Sequence, residues 1–396
     1  MFRLALSAGR RTPLTHIKSA LPPLSSIPTS PPFSNSLKSR ERQQHFSTSS
    51  SQISDYASRS QTPVSLRTLM ETGRGDLLGR GGNSFEETPD KNLSTATDLV
   101  LMQVASFLRH ELPIRLAHRI KDLDDVPMMK EMKSVTTVRE WYIQSFDDLI
   151  TFPPIKSKSD EEKFAVLLDQ IYERHAGVLV TMARGAFELR KAIRQGKYGT
   201  EGKMDFEEMQ AMHDFLDNFY MSRIGIRMLI GQYLSLRQPP MNDYIGMICS
   251  ETSPAKIVQQ AVDDATFMCT RKYGDAPSVV VHGASNLNFS YVPTHIHYIM
   301  LELIKNSMRA TVEWHGIDED YPPIKVIISD GEENEDVVIK VSDEGGGIKR
   351  SHMKRVWSRA YARFWGGDLS VMSMEGYGTD VFLHLSRLGD SREPLP

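Results

Sequence analysis

One helix-forming stretch constrains the rest of this 396-residue chain. Residues 294–316 read THIHYIMLELIKNSMRATVEWHG, with Thr294 as the predicted N-cap and Gly316 as the stop. Side chains that recur at three- and four-residue spacing predict one face packed on a core: His297, Met300, Leu301, Ile304, Met308 and Thr311. Glu302 and Asn306 lie one turn apart beside that face, so their carboxylate and amide can share one metal ion or one water. An isolated pair of this kind is more often a solvated surface pair, so it needs support from elsewhere in the chain.

The residues that follow supply this support. Segments 324–329 and 337–341 alternate as the two strands of a hairpin, and the second runs directly into Asp343-Glu344-Gly345-Gly346-Gly347. Glycines let a backbone approach a ligand closely, and a carboxylate can accept a hydrogen bond from an exocyclic amine. A third motif, EGYGTD, occupies residues 375–380. The E-x-x-x-N helix, the hairpin and the D-x-G-x-G turn resemble, in this order, the Bergerat-type ATP site of the GHKL superfamily, which includes gyrase and the histidine kinases.

Helical patterns fill the first half of the chain. Apolar spacing predicts helices over 99–108, from Pro113 onward, over 138–152, over 159–196 and over 206–236. The fourth of these begins with Ser159 and Glu162 as a capping box and is expected to run unbroken to Gly196. Pairing the two long helices, 159–196 and 206–236, with two of the earlier ones predicts a four-helix bundle. The predicted fold class is therefore α + α/β, with this bundle followed by a Bergerat-type (GHKL) α/β sandwich that holds one mixed sheet.

The chain divides into four predicted regions. Residues 1–50 have the composition of a mitochondrial transit peptide, because Ser and Pro abound and six basic residues precede the first acid: Arg3, Arg10, Arg11, Lys18, Lys38 and Arg40. A disordered basic tail is the alternative. Residues 51–92 are predicted to be a flexible segment, 93–245 the helical regulatory and docking domain, and 246–396 the ATP-binding kinase domain.

Composition excludes several classes of protein. The net charge of −3 does not favour nucleic-acid binding, and no apolar stretch approaches the roughly 20 residues of a membrane span. The two cysteines, Cys249 and Cys269, lie in or beside apolar runs, which predicts reduced thiols and neither a disulfide framework nor a zinc site.

Four segments carry a closer resemblance. IYERHAGVLVTMARG at 171–185, FYMSRIGIRMLIGQ at 219–232, LELIKNSMRATVE at 301–313 and SMEGYGTD at 373–380 look like the mitochondrial α-keto acid dehydrogenase kinases. This family comprises the pyruvate dehydrogenase kinases and the branched-chain α-keto acid dehydrogenase kinases. The resemblance extends over residues 60–390. No H-R-D or D-F-G stretch of the ordinary protein kinases is present.

This resemblance implies ATP and Mg²⁺ as cofactors and assigns the catalytic residues. Asn306 would coordinate Mg²⁺ between the phosphates, and Glu302 would act as the base that orients or deprotonates the substrate serine. His175 would reach from the helical domain, hydrogen-bond Glu302 and tune its basicity. The alternative for His175 is a core histidine hydrogen-bonded to a neighbour.

The family pattern also assigns the nucleotide contacts. Asp343 would bind the adenine amine, and Gly345 and Gly347 would admit the ring. Thr379 would support the adenine pocket. Arg309, one turn beyond Asn306, could meet phosphate charge, and Glu302 is counted with Asn306 among the cofactor-binding residues.

One departure from the family pattern concerns the triphosphate. Members of this family carry, after the D-x-G-x-G turn, a mobile lid and a second glycine box of the G-x-G-x-G-L-P kind. In this chain HMKRVW at 352–357 passes directly into SRAYARFWGGDL at 358–369, so a few tens of residues are missing. Because an apolar face continues across the junction, residues 349–365 are predicted to form one amphipathic helix.

The resemblance and the missing glycine box leave two classes of function open. The first is a serine kinase of the mitochondrial matrix that phosphorylates and inactivates the dehydrogenase component of an α-keto acid dehydrogenase complex. Pyruvate dehydrogenase is the preferred substrate and the branched-chain enzyme the alternative. Such a kinase would dock on the lipoyl domain of the acyltransferase core and form a homodimer through its ATP-domain sheet. The second is a protein of the same fold that only docks. An autophosphorylating histidine kinase is disfavoured, because Ala176 rather than an acidic residue follows His175.

Overall fold

Helices form the first part of the fold. The computed structural model describes residues 51–76, 96–198, 209–317, 319–330, 336–349 and 362–395. The named helices of the first part are α1 (Leu66–Arg74), α2 (Ala96–Asp125), α3 (Lys133–Thr151), α4 (Lys158–Arg174), α5 (Val178–Arg194) and α6 (Gln210–Leu236), with a 3₁₀ turn at Met129–Glu131 between α2 and α3. The transit peptide predicted at 1–50 lies outside these residues.

Helix α2 lies at the centre of this helical part. It packs against α3, α4 and α6, while α3 packs against α5 and α4 against α6. The helix boundary predicted at Pro113 is wrong, because α2 continues through this proline. A proline inside a helix removes one backbone hydrogen bond and costs about 3 kcal/mol. Long runs of buried side chains on both sides of Pro113, and the buried proline itself, offset that cost.

The single helix predicted over 159–196 is also wrong. Helix α4 begins two residues earlier than expected, after Ser157, whose side chain forms a capping box with Asp160. It ends at Arg174, and α5 starts at Val178. In the intervening turn the amide of Ala176 donates to the carbonyl of Glu173, a tight three-residue hydrogen bond. Gly177, a poor helix former, completes the break.

The second part of the chain contains two sheets. Its elements are β1 (Tyr244–Ile245), β2 (Ile248–Thr252), α7 (Pro254–Tyr273), β3 (Val279–Gly283), β4 (Phe289–Tyr291), α8 (Pro293–His315), β5 (Ile324–Asp330), β6 (Asp336–Asp343), β7 (Asp368–Met374) and β8 (Gly378–Ser386). The larger sheet has the order β3-β5-β6-β8-β7, with β3 and β5 parallel and the other pairs antiparallel. The expectation of one mixed sheet is corrected, because β4 pairs with β2 in a separate three-stranded sheet.

One face of the larger sheet is covered by helices. Helix α8 packs on α7 and on strands β5 and β6. Strand β5 alternates between buried and exposed residues, and strand β6 between buried and half-buried ones, so every second residue faces the helices. On the opposite face Ile327, Lys340, Phe382 and Ser370 follow one another in register across β5, β6, β8 and β7. No helix among the described residues covers this opposite face, on which Ile327 is 40% exposed.

The last described residues return to the helical part. The amide of Glu393 donates to the carbonyl of Val64 at 2.9 Å, and its buried carboxylate binds Arg115 of α2. The helix predicted over 349–365 lies largely outside the described residues. Of that segment, Lys349 is not helical, whereas Ala362 is.

None of the helices described in the structure is long and apolar enough to cross a membrane. Both cysteines, Cys249 and Cys269, are buried and free.

Candidate functional site

Helix α8 forms the central wall of the candidate site. It starts at Pro293 rather than at Thr294, with Val292 as N-cap, and Gly316 ends it as predicted. Pro at the first helical position leaves no additional amide unpaired. The buried face also differs from the prediction, because Ile296, Leu303 and Ser307 are buried, whereas His297 and Leu301 are only half-buried.

The carboxylate of Asp343 joins α8 to the end of β6. The hydroxyl of Ser307 donates to Asp343 Oδ2 at 2.8 Å, and the amide of Gly345 donates to Oδ1 at 3.1 Å. Thr379, at the start of β8, lies opposite Asp343 in the strand register. Burial raises the pKa of Asp343, and the hydrogen bonds from Ser307, Gly345 and Thr379 oppose that rise only in part. The D-x-G-x-G turn and the E-x-x-x-N helix are therefore held together at one point.

The glycines of this turn permit two close approaches. A Cβ atom on Gly345 would lie 2.6 Å from the Cβ of Ala310 on α8. A Cβ on Gly347, whose φ is +68°, would lie 2.1 Å from the carbonyl oxygen of Met374. Both contacts are closer than any real Cβ contact, so a larger residue at either position would displace the turn from its neighbours.

Thr379 belongs to a small hydrogen-bonded group beside the turn. Its hydroxyl lies 2.9 Å from that of Ser373 on β7, and the amide of Ile348 donates to Ser373 Oγ at 2.7 Å. The backbone beyond Gly347 is thus anchored to the β7–β8 hairpin.

The Glu302–Asn306 pair lies in the middle of α8. Lys305 pairs with Glu302 at 2.5 Å, and the glutamate side chain is 15% exposed. The amide oxygen Oδ1 of Asn306 is buried and has no hydrogen-bond partner among the described residues. A buried amide oxygen without a donor is costly, and hard divalent cations such as Mg²⁺ bind oxygen ligands. The residues present therefore fit a cation beside Asn306.

Arg309 is engaged with its own helix. Its Nε donates to Glu313 at 2.6 Å, and the hydroxyl of Tyr273 donates to the same carboxylate oxygen at 3.0 Å. Burial opposes ionisation of Glu313, but the charge and hydrogen bond of Arg309 outweigh it and lower the pKa of this carboxyl. A phosphate contact by Arg309 would have to compete with Glu313.

His175 lies in the helical part and is 2% exposed. Its Nε2 is 3.0 Å from Ser145 Oγ, and its ring stacks on Tyr142 with centroids 4.6 Å apart. The structure does not bring His175 and Glu302 into hydrogen-bond contact, since the described partners are Ser145 for the histidine and Lys305 for the glutamate. The geometry seen is that of a core histidine, and its influence on Glu302 stays a prediction.

Three residues of this site are absent from the sequence-based assignment. Ser307 holds Asp343, Ser373 anchors the turn, and Lys305 pairs with Glu302. A signal existed for Ser307 alone: it stands four residues from both Leu303 and Thr311, which puts a small polar side chain on the buried face. The other two contacts depend on strand pairing and rotamers that spacing does not specify.

The pH dependence of stability should report the burial of His175. Burial, together with nearby arginine charges, lowers the pKa of His175 from 6.5 to about 4. Because the folded-state pKa is the lower one, the stability contribution is complete above pH 6.5 and is lost as the pH falls toward 4. At pH 5 this loss amounts to about 2 kcal/mol. We expect urea unfolding at pH 7 and pH 5 to show this extra loss in the wild type and not in His175→Gln.

The matched control is His110→Gln, because His110 is exposed. This variant should keep the pH dependence of the wild type. Equal pH dependence in the wild type and His175→Gln would contradict the burial of a neutral imidazole.

Comparison with known proteins matches the whole arrangement to one class. Residues 63–249 match the family model described as mitochondrial branched-chain alpha-ketoacid dehydrogenase kinase. Together with the relatives below, this match shows that the chain belongs to the mitochondrial α-keto acid dehydrogenase kinases, a family of protein kinases. The kinase resemblance inferred from sequence is thereby confirmed.

Three similar proteins from different organisms share one name. The chain is 40% identical to the mitochondrial [pyruvate dehydrogenase (acetyl-transferring)] kinase of Arabidopsis thaliana, with 85% of this chain and 93% of the relative covered. It is 34% identical to the enzyme of that name from Schizosaccharomyces pombe, with 74% and 91% covered. It is 37% identical to the one from Ascaris suum, with 73% and 80% covered.

Proposed function

We propose that this chain is a mitochondrial protein-serine kinase that uses ATP to phosphorylate, and so inactivate, the dehydrogenase component of the pyruvate dehydrogenase complex. The names of the relatives support the activity and the mitochondrial location. The observation that carries the proposal is the attachment of Asp343 to α8 through Ser307, the residue next to Asn306. This contact joins the D-x-G-x-G turn and the E-x-x-x-N helix in one site. The matrix is the proposed compartment, because the dehydrogenase complex is the substrate.

The nucleotide contacts follow from the chemistry of each group. A carboxylate held by Ser307 and the Gly345 amide is fixed in position and can accept a hydrogen bond from the adenine amine. Gly345 and Gly347 let the turn lie close to α8 and β7, and Thr379 fixes the hairpin beside it. We assign these four residues to adenine recognition.

The phosphate end of the site is assigned to α8. Asn306 would hold Mg²⁺ with its unpartnered amide oxygen, and the cation would neutralise phosphate charge. Arg309 could add a positive charge after leaving Glu313. Glu302, one turn before Asn306, would accept the proton of the substrate serine, since a carboxylate within hydrogen-bond reach suffices as base. The ion pair with Lys305 holds that carboxylate in place until the substrate arrives.

We assign His175 a positioning role at most. Buried and neutral, it fixes the turn between α4 and α5 through Ser145 and Tyr142. Its proposed action on Glu302 needs a hydrogen bond that the structure does not contain, since the two side chains bind Ser145 and Lys305.

A second candidate function rests on the missing glycine box. Residues 350–365 contain no glycine, so this chain has no G-x-G-x-G segment between the Asp343 turn and β7. The alignment with the Arabidopsis relative has 375 positions, and the 85% of this chain that it covers supplies fewer residues than that. The other positions therefore hold residues of the relative that have no counterpart in this chain. Backbone amides of a glycine-rich helix start are an effective triphosphate cradle. A chain without them could dock on the dehydrogenase complex and transfer no phosphate.

The assembly proposals concern the open sheet face and the helical part. The face that carries Ile327, Lys340 and Phe382 is the proposed homodimer surface, because its alternating apolar and charged residues are not covered by a described helix. The helical part, which we propose to be a four-helix bundle over 93–245, would dock on the lipoyl domain of the acyltransferase core. Residues 246–396 would form the GHKL-type kinase domain.

Serine phosphorylation of purified dehydrogenase components tests the proposed function. The full chain is incubated with ATP and Mg²⁺ and either the pyruvate or the branched-chain dehydrogenase, and phosphoserine is quantified by mass spectrometry. We expect phosphate on the pyruvate enzyme and a loss of dehydrogenase activity. Phosphate on the branched-chain enzyme alone would reassign the substrate, and phosphate on neither, with retained binding to the complex, would favour the docking function.

The role of Asn306 is tested by its dependence on the cation. In Asn306→Ala we expect the gain in ATP affinity that Mg²⁺ gives the wild type to disappear, because the buried amide oxygen is removed. Calorimetric titration of ATP with and without Mg²⁺ measures this gain. Asn288→Ala, at an exposed position of the preceding loop, is the control and should behave as the wild type. An undiminished Mg²⁺ effect in Asn306→Ala would remove this residue from the metal site.

A further inference from the structure

The outer side of α4 and α5 carries a continuous exposed stripe. Between residues 162 and 194, exposed positions recur every three or four residues. The spacing continues through the break between the two helices, where Ala176 and Gly177 are both exposed. Three- and four-residue steps keep positions on one side of a helix. We call this surface the outer stripe; it faces away from the core of the helical part.

The α4 half of the outer stripe is acidic around one apolar residue. Glu162, Asp169 and Glu173 are exposed, and Val166 between them is 60% exposed. The α5 half has the opposite charge.

The α5 half is basic around two apolar residues. Arg184, Lys191 and Arg194 are exposed, and so are Val180 at 67% and Phe187 at 51%. Large apolar side chains this exposed, flanked by charges, are typical of an interaction surface.

The charges of the outer stripe have no partners within the described structure. Neither the three carboxylates nor the three basic groups forms an ion pair or a side-chain hydrogen bond there. By contrast, Arg174 and Glu161, which point inward from α4, are paired with Asp148 and Arg237. The stripe is therefore free to bind a surface of complementary charge.

The order of residues along the outer stripe is self-complementary. Asp169 and Arg184 lie equally far from the midpoint between Ala176 and Gly177, on opposite sides of it. The same holds for Val166 and Phe187. It also holds for Glu162 and Lys191. A two-fold axis through that midpoint would place an antiparallel second copy so that these three pairs meet, whereas Glu173 would face Val180 and Arg194 would face Ser159.

This pattern is what an isologous interface between identical chains requires. A parallel second copy would instead oppose like charges along the whole stripe. The small residues Ala176 and Gly177 would lie at the axis, where they allow the two helices to approach closely.

We propose that the outer stripe binds a second copy of this chain, antiparallel, about a two-fold axis at the α4–α5 break. Val166 of each copy packs on Phe187 of the other, with the Asp169–Arg184 and Glu162–Lys191 pairs around this contact. The stripe lies on the helical part and is separate from the sheet face of Ile327 and Phe382. Two different isologous surfaces on one chain allow assemblies of four copies or more.

Charge exchange tests the pairing directly. Asp169→Arg opposes two arginines in each half of the interface, and Arg184→Asp opposes two aspartates. We expect each single variant to halve the mass of the assembly measured by light scattering over a concentration series of the full chain. The double variant, which only exchanges the two charges, should return the mass to the wild-type value. An equimolar mixture of the two single variants should also return it, because each supplies the charge that the other lacks.

Cross-linking tests the position of the axis. Ala176→Cys lies at the proposed axis, so a short bis-maleimide should join two chains of this variant into a covalent dimer. Gln195→Cys, exposed near the end of the stripe, would lie about 50 Å from its own copy and should not cross-link. The natural cysteines are buried and add little background.

Three outcomes would overturn the proposal. They are an unchanged mass in both single variants, a loss of mass that neither the double variant nor the mixture restores, and equal cross-linking of Ala176→Cys and Gln195→Cys.

Discussion

Glu302→Gln is expected to lower the rate of phosphate transfer to the dehydrogenase by about 10²- to 10⁴-fold, the usual contribution of a positioned general base. Glutamine keeps the size of the side chain on α8 but cannot accept the serine proton. ATP affinity should change little, because the adenine amine is assigned to Asp343 and Mg²⁺ to Asn306, and both residues are kept. The measurement is the initial rate of phosphoserine formation at saturating ATP, with ATP binding determined separately by calorimetry.

Glu319→Gln is the matched control for this prediction. It makes the same chemical change at an exposed residue just beyond α8 and should leave the rate unchanged. If Glu302→Gln transferred phosphate as fast as this control, the catalytic base would have to be sought elsewhere.

Glu393→Ala is expected to lower the free energy of unfolding by about 3–5 kcal/mol, the cost of breaking a buried ion pair by removing one partner. Arg115 donates to Glu111 at 2.9 Å, to both carboxylate oxygens of Glu393, and to the carbonyl of Thr62 at 2.7 Å. All three charged side chains are at most 1% exposed. Burial alone would lower the pKa of Arg115, but the two carboxylates outweigh it and raise that pKa above its usual value.

The position of Glu393 in the cluster of Arg115, Glu111 and Glu393 explains why the loss of stability should be large. Glu393 accepts a hydrogen bond from the amide of Val64 and donates its own amide to the carbonyl of that residue. It thus ties the end of the described chain to the segment before α1 and to α2. Removing the carboxylate leaves a buried guanidinium partly uncompensated and releases this end of the chain.

Urea denaturation at pH 7 measures this loss. Arg392→Ala, at the exposed neighbouring position, is the control and should change stability by no more than about 0.5 kcal/mol. A Glu393→Ala protein within 1 kcal/mol of the wild type would show that the cluster stabilises the fold only weakly.

The sheet half of the fold could be predicted in some detail from the sequence. The hairpin pattern at 324–329 and 337–341 predicts two strands that the structure confirms to within two residues. The E-x-x-x-N and D-x-G-x-G motifs could be assigned to one site because their order in the sequence resembles the Bergerat-type ATP site. The hydroxyl of Ser307 that joins them could not be identified, since its role depends on which helix side faces β6.

The helical half was harder to predict for two physical reasons. Pro113 ends a helix by local preference, but packing around the buried α2 outweighs that preference. The apolar spacing of 159–196 continues across residues 175–177, so periodicity alone gives no sign of the break. Only the low helix propensity of Gly177 marks it. The neighbours of His175 could not be predicted without this break, because the histidine caps the end of α4 and packs on α3.

Calorimetric titration of ATP with Mg²⁺ into the full chain tests whether α8, the Asp343 turn and β8 form a nucleotide site. Asp343→Ala is titrated alongside, since it removes the proposed adenine acceptor, and Asp336→Ala, at the other end of β6, is the control. We expect binding by the wild type and by Asp336→Ala, and at least tenfold weaker binding by Asp343→Ala, the equivalent of about 1.4 kcal/mol. Equal ATP binding by Asp343→Ala and the wild type, or no binding by the wild type, would contradict this expectation.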